Sequence, residues 1–292
     1  MHTDSQPKIW DTFLYSGETE VLRTRLKLLN DFCDNFVIVE SAYTFSGKSR
    51  NISDLKFRNA VEREYLGKIK WIIIQNFDES LTAWQREAWQ RNQIKIGLGG
   101  IEINDVILLS DVDEIPNQRF LRHARNIKEG EYLIAKMNQH YYESDFDSIE
   151  DWYGTIGTKW QKNLDFQELR IKAISHWNLS NLEIVIDAGN HYSSMGDSKN
   201  LSQKIQSFSH TEFNVFPFNN SSFLSILIFL GIKFDGSEVF ELSSKLDTSV
   251  DFLCSRRHRH DGIRKMVAIR LQPLVAILYR MRVENLSSPV TG

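Results

Sequence analysis

Three short runs of nearly uninterrupted apolar residues constrain this 292-residue chain more than any other feature. They are FVIVE at 36–40, IKWIIIQ at 69–75 and DVILLS at 105–110. Strands that are apolar on both faces are typical of parallel sheets covered by helices on both sides. Segments with apolar residues at helical spacing separate the runs, so the sequence predicts an α/β fold with a doubly wound, Rossmann-like sheet.

Further elements extend the alternating pattern to either side of these runs. The predicted elements are a strand over 9–15, helices over 18–32, 80–98 and 117–128, and a strand over 132–137. Past about residue 140 the periodicity weakens, so a mixed α+β continuation is expected there.

Composition excludes several classes of protein. The formal net charge of −3 disfavours a nucleic-acid binder that uses its whole surface. The two cysteines, Cys33 and Cys254, provide neither a disulfide framework nor a four-thiolate zinc site.

The C-terminal end concentrates the basic charge. Residues 254–292 hold eight Lys and Arg against two acidic residues, a net +6, which leaves −9 for residues 1–253. Apolar residues accompany the basic ones, and two interpretations remain open. One is an amphipathic helix pair, broken near Pro273, on an anionic membrane surface; the other is a helix packed on the domain with a solvated basic face.

No segment of the sequence predicts a membrane span. The most apolar run, FLSILIFLGI at 223–232, is far shorter than the roughly 20 residues that cross a bilayer, so a buried helix or strand is expected. Residues 1–8 show no apolar signal region. We therefore expect a cytoplasmic protein, with the basic C-terminus as a candidate peripheral contact to the inner face of a membrane.

An acidic DxD motif, within DVDEIP at 111–116, directly follows the third apolar run. Ligands of open α/β sheets bind beyond the carboxyl ends of the strands. If strand geometry continues, Asp111 and Asp113 point to one side and Glu114 to the other. Two carboxylates in one pocket repel each other unless a cation lies between them. Mg²⁺ or Mn²⁺ prefers such oxygen ligands and would neutralise a departing diphosphate.

Aspartyl phosphatases of the haloacid dehalogenase type share this local pattern and would use Asp111 as a nucleophile. They usually carry Thr or Val two positions after the second Asp, and their motif lies near the N-terminus. Here Ile115 holds that position and two strand–helix units come first, so the phosphatase is the weaker interpretation.

Five co-linear blocks carry a pattern that reaches beyond the acidic motif. They are residues 10–15 with 20–26, 36–41 with 44–48, 86–92, 111–116, and 188–194 with 204–213. In this order they resemble glycosyltransferase family 17, the β-1,4-N-acetylglucosaminyltransferases related to the enzyme that adds bisecting GlcNAc to N-glycans. The resemblance covers roughly residues 9–215 and departs at Asn190, where the family has Trp.

The resemblance implies a GT-A-like catalytic domain over 1–240, followed by a basic, partly amphipathic helical extension over 241–292. It also implies an inverting transfer of a sugar, GlcNAc, from a UDP-sugar donor to a glycan acceptor, with Mn²⁺ or Mg²⁺ at Asp111 and Asp113. The remaining alternative is a non-catalytic relative that binds sugar or membrane.

Residues at the ends of the first two predicted strands are candidates for donor binding. Asp11, Phe13 and Glu40 lie at the edge where a nucleoside sits in a doubly wound sheet. Phe13 could stack on uracil or pack in the core, and Glu40 could accept a hydrogen bond from ribose or base. Lys48, in the following loop, is either a phosphate ligand or a solvated lysine.

Two arginines on the predicted helix over 80–98, Arg86 and Arg91, are further donor-binding candidates together with Asp111. An arginine fork suits a diphosphate better than a lysine does. Glu87 and Arg91 are four residues apart and can form an ion pair, so a salt-bridged surface helix is the alternative.

Imidazole and indole side chains in the later part of the chain supply other candidates. A neutral imidazole from His191 or His210 would complete a metal shell beside two carboxylates, although a lone His is more often structural. Trp152, Trp160 and Trp177 are candidate sugar-stacking platforms, with core packing as the alternative for at least two of them.

An inverting transfer needs one general base that takes the proton of the acceptor hydroxyl. The acidic candidates are Glu212, Glu114, Asp187 and Glu143. Glu212 and Glu114 rank first because they lie inside the matching blocks.

Overall fold

A computed structural model describes residues 6–65, 67–142, 146–148, 150–175, 180–207, 210–242 and 261–287. The chain divides into two compact units, the first made of residues 1–138 and 151–191 and the second of residues 139–150 and 192–292. The boundary expected after residue 240 does not coincide with this division.

The described elements follow each other in a largely alternating order. The strands are β1 (Ile9–Tyr15), β2 (Asn35–Ser41), β3 (Ile69–Ile74), β4 (Val106–Asp111), β5 (Glu114–Pro116), β6 (Tyr132–Tyr141), β7 (Phe146–Asp147), β8 (Trp152–Lys159), β9 (Leu182–Val185), β10 (Gly189–Ser193) and β11 (Glu241–Leu242). The helices are α1 (Thr19–Leu29), α2 (Leu55–Glu64), α3 (Ala83–Asn92), α4 (Gln118–Arg125), α5 (Phe166–Ile174), α6 (Ser198–Ser207), α7 (Ser221–Leu230) and α8 (Asp261–Ser287).

The main sheet of the first unit has the strand order β3-β2-β1-β4-β8-β6. β1 to β4 run parallel, and β8 is antiparallel to both of its neighbours. Because β4 lies on the side of β1 opposite β2, the strand order reverses between β1 and β4. Such a topological switch point opens a crevice at the carboxyl ends of the strands, where ligands bind.

Helices cover both faces of this sheet. On one face, Trp10, Val37 and Ile107 share a core cluster with Phe166 and Leu169 of α5. On the other face, α1 packs over β1, because its Arg25 contacts the side chains of Asp11 and Phe13. The predicted α/β, doubly wound sheet is therefore confirmed, and the three apolar runs are β2, β3 and β4.

Two helices differ from the sequence prediction. α3 is shorter than predicted because Thr82 and Gln85 form a capping box at its start, and residues 93–97 form a 3-10 turn at its end. The helix α2 was not predicted, since it is polar and Val61 is its buried residue.

The second unit packs α6, α7 and α8 around its own core cluster. The apolar run at 223–232 belongs largely to α7, which ends at Gly231 in the left-handed conformation. A helix pair broken near Pro273, one of the two interpretations of this segment, does not form, because α8 continues through the proline. Ala268 and Val275, on either side of that proline, are buried in the cluster and hold both halves of the helix.

Several apolar side chains of α8 face solvent. They are Met266, Val267, Ile269, Leu271, Leu274, Ile277 and Met281. Arg270 and Arg280 are exposed on the same helix. None of the helices in the described ranges combines the length and hydropathy of a membrane span.

Candidate functional site

The acidic motif forms a tight turn at the carboxyl end of β4, beside β1 and at the topological switch point. β4 ends at Asp111, and β5 begins at Glu114. The side chain of Asp111 is 39% exposed, that of Asp113 12% and that of Glu114 0%. The expectation that Glu114 points away from Asp111 is wrong, because its Oε2 accepts the Asp111 backbone N–H at 3.0 Å.

A buried arginine from α5, Arg170, lies between the two carboxylates. Its guanidinium donates to both oxygens of Glu114, at 2.9 and 2.7 Å, and to Oδ2 of Asp111 at 2.8 Å. Arg91 of α3 contacts the other oxygen of Asp111 at 3.3 Å. The cation that the paired acids require is thus supplied, for Asp111 and Glu114, by the protein itself.

The two arginines set the protonation of Asp111. Desolvation by the surrounding atoms would raise the pKa of this carboxyl, but the charges of Arg170 and Arg91 outweigh it and lower the pKa to about 2. Asp111 is consequently a carboxylate at neutral pH.

The main chain of the turn is held by a second buried arginine, Arg25 of α1. One guanidinium nitrogen lies 3.1 Å from the carbonyl oxygen of Asp111, 3.3 Å from that of Val112 and 2.7 Å from that of Glu114. Hydrogen bonds to charged groups stabilise more than neutral ones do. The turn therefore has a fixed main-chain shape.

Asp11 and Phe13 of β1 both contact Arg25. Both carboxylate oxygens of Asp11 accept from Arg25, at 2.8 and 2.6 Å, and neither side chain is exposed to solvent. The Phe13 ring is fully buried beneath the Arg25 guanidinium, 4.5 Å from its centroid. The donor-binding roles predicted for the two residues are not supported by this geometry, because the atoms that would contact a nucleoside are buried.

Glu40 and Lys48 differ in their surroundings. The buried Glu40 carboxylate accepts from Ser53, Arg50 and Trp71 and so holds the loop after β2. Lys48 is exposed in that loop, where its amine is open to a phosphate or to water. Donor binding by either residue stays a prediction.

The two arginines of α3, Arg86 and Arg91, contact different parts of the structure. Arg86 donates to the carbonyl of Phe45 at 2.9 Å, which fixes the loop after β2 to the helix, and it also lies over the ring of Phe77, which follows β3. Arg91, almost fully buried, forms the predicted ion pair with Glu87 at 2.7 Å and also contacts Asp111. Arg91 is therefore the one of these two that the structure brings to the acidic turn.

His191 of β10 lies beside Asp113. Its Nε2 is 3.7 Å from Oδ1 of Asp113, and its ring stacks on Trp152 with centroids 4.3 Å apart. Within the described part of the chain, no three His, Cys, Asp or Glu side chains come close enough together to hold a metal by themselves. Mg²⁺ at phosphate sites commonly uses only one or two carboxylates and takes substrate oxygens for the rest. Asp113 and His191 lie side by side and offer an oxygen and a nitrogen donor to a cation of that kind, whereas both oxygens of Asp111 contact Arg91 and Arg170.

The remaining candidates belong to the second unit or lie elsewhere. His210 and Glu212 are half-exposed, and Nδ1 of His210 lies within hydrogen-bond distance of Oε1 of Glu212, at 2.7 Å. Asp187 of the first unit has a left-handed backbone, and its carbonyl accepts from Asn117. Glu143 and Trp177 fall outside the described residues.

Glu114 is unsuited to the general-base role predicted for it. Arg170 occupies both of its oxygens, Trp152 Nε1 donates to Oε1 at 2.9 Å, and no part of the side chain is exposed. A general base must come within hydrogen-bond reach of the proton that it removes.

Sequence reasoning missed Arg25, Arg170 and the bond from Trp152 to Glu114. A signal for the arginines was present, since Arg25 lies between Leu22 and Leu29 on the apolar face of α1. Arg170 likewise follows Leu169 in a helix whose buried residues surround it. An arginine on an apolar helix face requires a buried partner.

Comparison with solved structures finds low similarities. HddC from Yersinia pseudotuberculosis shares 12% identity, with 62% of this chain and 90% of that chain covered and a TM-score of 0.35. The galactosyltransferase LgtC, in complex with donor and acceptor sugar analogues, shares 8%, covering 73% and 82%, with a TM-score of 0.32. GlyE, a glycosyltransferase of Streptococcus pneumoniae TIGR4, shares 11%, covering 95% and 64%, with a TM-score of 0.33.

Comparison of the amino-acid sequence with known families identifies the family of this chain. No curated protein matches the chain. The model of glycosyltransferase family 17 matches residues 1–241, which include β1 to β5 and the acidic turn. The chain belongs to glycosyltransferase family 17 and is a glycosyltransferase.

Proposed function

We propose that this enzyme transfers GlcNAc from UDP-GlcNAc to a glycan hydroxyl with inversion at the anomeric carbon. The observation that carries the proposal is the position of the acidic turn, at the carboxyl end of β4 and at the switch point of the sheet. Family membership supports the sugar transfer, and the switch point is where open α/β sheets bind nucleotides.

The chemical step follows from an inverting mechanism. The acceptor oxygen attacks the anomeric carbon while the bond from that carbon to the diphosphate oxygen breaks, and UDP leaves with the bonding electrons. The acceptor proton passes to a carboxylate, for which Glu212 is our candidate because its side chain is 44% exposed. Glu114 lacks that access.

We infer that Asp113 and His191, with Asp111, hold Mn²⁺ or Mg²⁺ beside the donor diphosphate. Bound there, the cation would neutralise charge on the leaving group. Asp111 supplies a carboxylate that stays ionised, because Arg170 and Arg91 lower its pKa. Lys48, exposed in the loop after β2, is a further candidate ligand for phosphate.

A donor screen tests this function. The protein is incubated with UDP-sugars, Mn²⁺ and a glycan acceptor library, and UDP release is measured. We expect release with UDP-GlcNAc that depends on both metal and acceptor. Phosphate release from a phosphomonoester, lost in Asp111→Asn, would instead support a phosphatase, and donor binding without turnover on any acceptor would contradict the transfer.

Glu212→Gln tests the base. This change removes proton acceptance and keeps the shape of the side chain, so we expect kcat to fall by about 10²- to 10⁴-fold while the KM for the donor stays unchanged. Steady-state kinetics of UDP release provide the measurement, and the exposed Glu129→Gln is the matched control. A kcat within threefold of wild type would exclude Glu212 as the base.

We also propose that the enzyme is cytoplasmic and that α8 lies on an anionic membrane surface. Its exposed apolar residues, among them Met266, Ile269 and Ile277, stand beside the exposed Arg270 and Arg280. Apolar insertion together with basic charge is what binds an amphipathic helix to acidic lipid.

Vesicle co-sedimentation tests the membrane contact. The double variant Arg270→Glu/Arg280→Glu should bind vesicles containing 30 mol% phosphatidylserine roughly 10-fold or more weakly than wild type at low salt, since each basic residue near such a surface contributes about 1 kcal/mol. Arg119→Glu, an exposed site in the first unit, is the control. Equal binding of both proteins, or no binding by wild type, would contradict the contact.

A further inference from the structure

A fully buried carboxylate, Glu114, links two side chains of the acidic site, Asp111 and His191. Through Arg170 it connects to Asp111, because one guanidinium nitrogen donates to Glu114 Oε1 at 2.7 Å and to Asp111 Oδ2 at 2.8 Å. Through Trp152 it connects to His191, because the indole N–H donates to the same Glu114 oxygen at 2.9 Å and the indole ring stacks on the imidazole.

The surroundings leave these groups little freedom. A Cβ at Gly154 would lie 3.1 Å from both Glu114 Cδ and Trp152 Nε1, so glycine at this position of β8 leaves room for the Glu114 carboxylate and the Trp152 indole to meet. Arg170 is bound in two parallel hydrogen bonds, which fix its plane as well as its position. The Trp152 ring then has one orientation in which its N–H reaches Glu114 and its face meets His191.

We propose that Glu114 is a positioning residue that orients Asp111 through Arg170 and His191 through Trp152. The inference rests on the proposed function, since Asp111 and His191 are there the ligands of a divalent cation. Partners in the outer shell of a metal site determine the orientation of the ligands, and their loss typically weakens metal binding 10- to 100-fold. Glu114 thus acts through other side chains and contacts neither sugar nor acceptor.

Two substitutions test the contact of Glu114 with Trp152 and its contact with Arg170 separately. Trp152→Phe keeps an aromatic ring for His191 but removes the bond to Glu114, and it leaves the ion pairs of Arg170 intact. Glu114→Gln keeps an acceptor for the Trp152 N–H and removes the negative charge that Arg170 contacts. Trp10→Phe is the matched control, because Trp10 also donates to a buried carboxylate, that of Asp105, at 3.0 Å.

Binding of Mn²⁺ in the presence of UDP, measured by electron paramagnetic resonance of the free ion, is the primary readout. We expect 10- to 100-fold weaker binding in Trp152→Phe and Glu114→Gln and unchanged binding in Trp10→Phe, with kcat for UDP release reduced in the first two. Raised Mn²⁺ should restore part of the rate, which lost stability alone would not allow.

The outcomes distinguish this inference from the function on which it rests. If wild type binds Mn²⁺ and releases UDP while both variants bind Mn²⁺ equally well, Glu114 only stabilises the fold and the inference is overturned. If wild type neither binds Mn²⁺ nor releases UDP, the proposed function is overturned and the inference falls with it. Should Glu114→Gln fail to fold, Trp152→Phe decides.

Discussion

Asp113→Ala should reduce UDP release by a hundredfold or more, a loss of about 3 kcal/mol or more of transition-state stabilisation. Asp113 contacts His191, with Oδ1 and Nε2 3.7 Å apart. The ion pairs that Arg91 and Arg170 form with the turn are made by Asp111 and Glu114. Removal of the Asp113 carboxylate takes away negative charge from the proposed cation site.

The same variant has a second readout that does not depend on turnover. Wild type should gain thermal stability when UDP and Mn²⁺ are added together, because a ligand that binds the folded state stabilises it. Asp113→Ala should lose this gain. Asp31→Ala, at an exposed site, is the control. If Asp113→Ala retains both UDP release and the stabilisation, the metal assignment is wrong.

Arg25→Met should destabilise the fold by about 3–5 kcal/mol, the usual cost of leaving one partner of a buried ion pair uncompensated. Asp11 and Arg25 are both fully buried and bonded through two nitrogens. The substitution also removes the donor that the carbonyl oxygens of the acidic turn share. Urea unfolding followed by circular dichroism measures the change.

Two further variants show whether the loss of stability comes from the Asp11 carboxylate, which Arg25→Met leaves buried without its partner. Asp11→Asn combined with Arg25→Met should recover part of the lost stability, because the buried carboxylate is then neutral. Arg23→Met, on the exposed side of the same helix, should change stability by less than about 1 kcal/mol. A loss below that level in Arg25→Met itself would show that the ion pair is not a main support of the fold.

The strands of the first unit could be predicted because their signal is local. β2, β3 and β4 are continuous apolar runs, and the acidic motif follows β4 directly, so its place at a sheet edge followed from the sequence. The polar helix α2 gave no such signal, because it buries only one side chain among the described ones, that of Val61.

The site itself depends on contacts between distant parts of the chain. Arg170 is 59 residues from Asp111 and 56 from Glu114, and Arg25 is 86 from Asp111. Helical spacing predicts ion pairs within one helix, such as that of Glu87 and Arg91, which the structure confirms. No rule of sequence spacing predicts that a residue of α5 contacts the end of β4. The sequence therefore predicted that the acids need a cation and did not reveal that two arginines would meet part of that need.

Arg25 binds the acidic turn through main-chain oxygens, which every amino acid carries. The side chains of Val112 and Asp113 can therefore change while the guanidinium keeps the same acceptors, at 3.3 Å for Val112 and 2.7 Å for Glu114. Folding and ligand chemistry are thus encoded by different atoms of the same four residues. A turn built in this way is open to redesign, since a new side chain at position 113 leaves the main-chain acceptors of Arg25 in place.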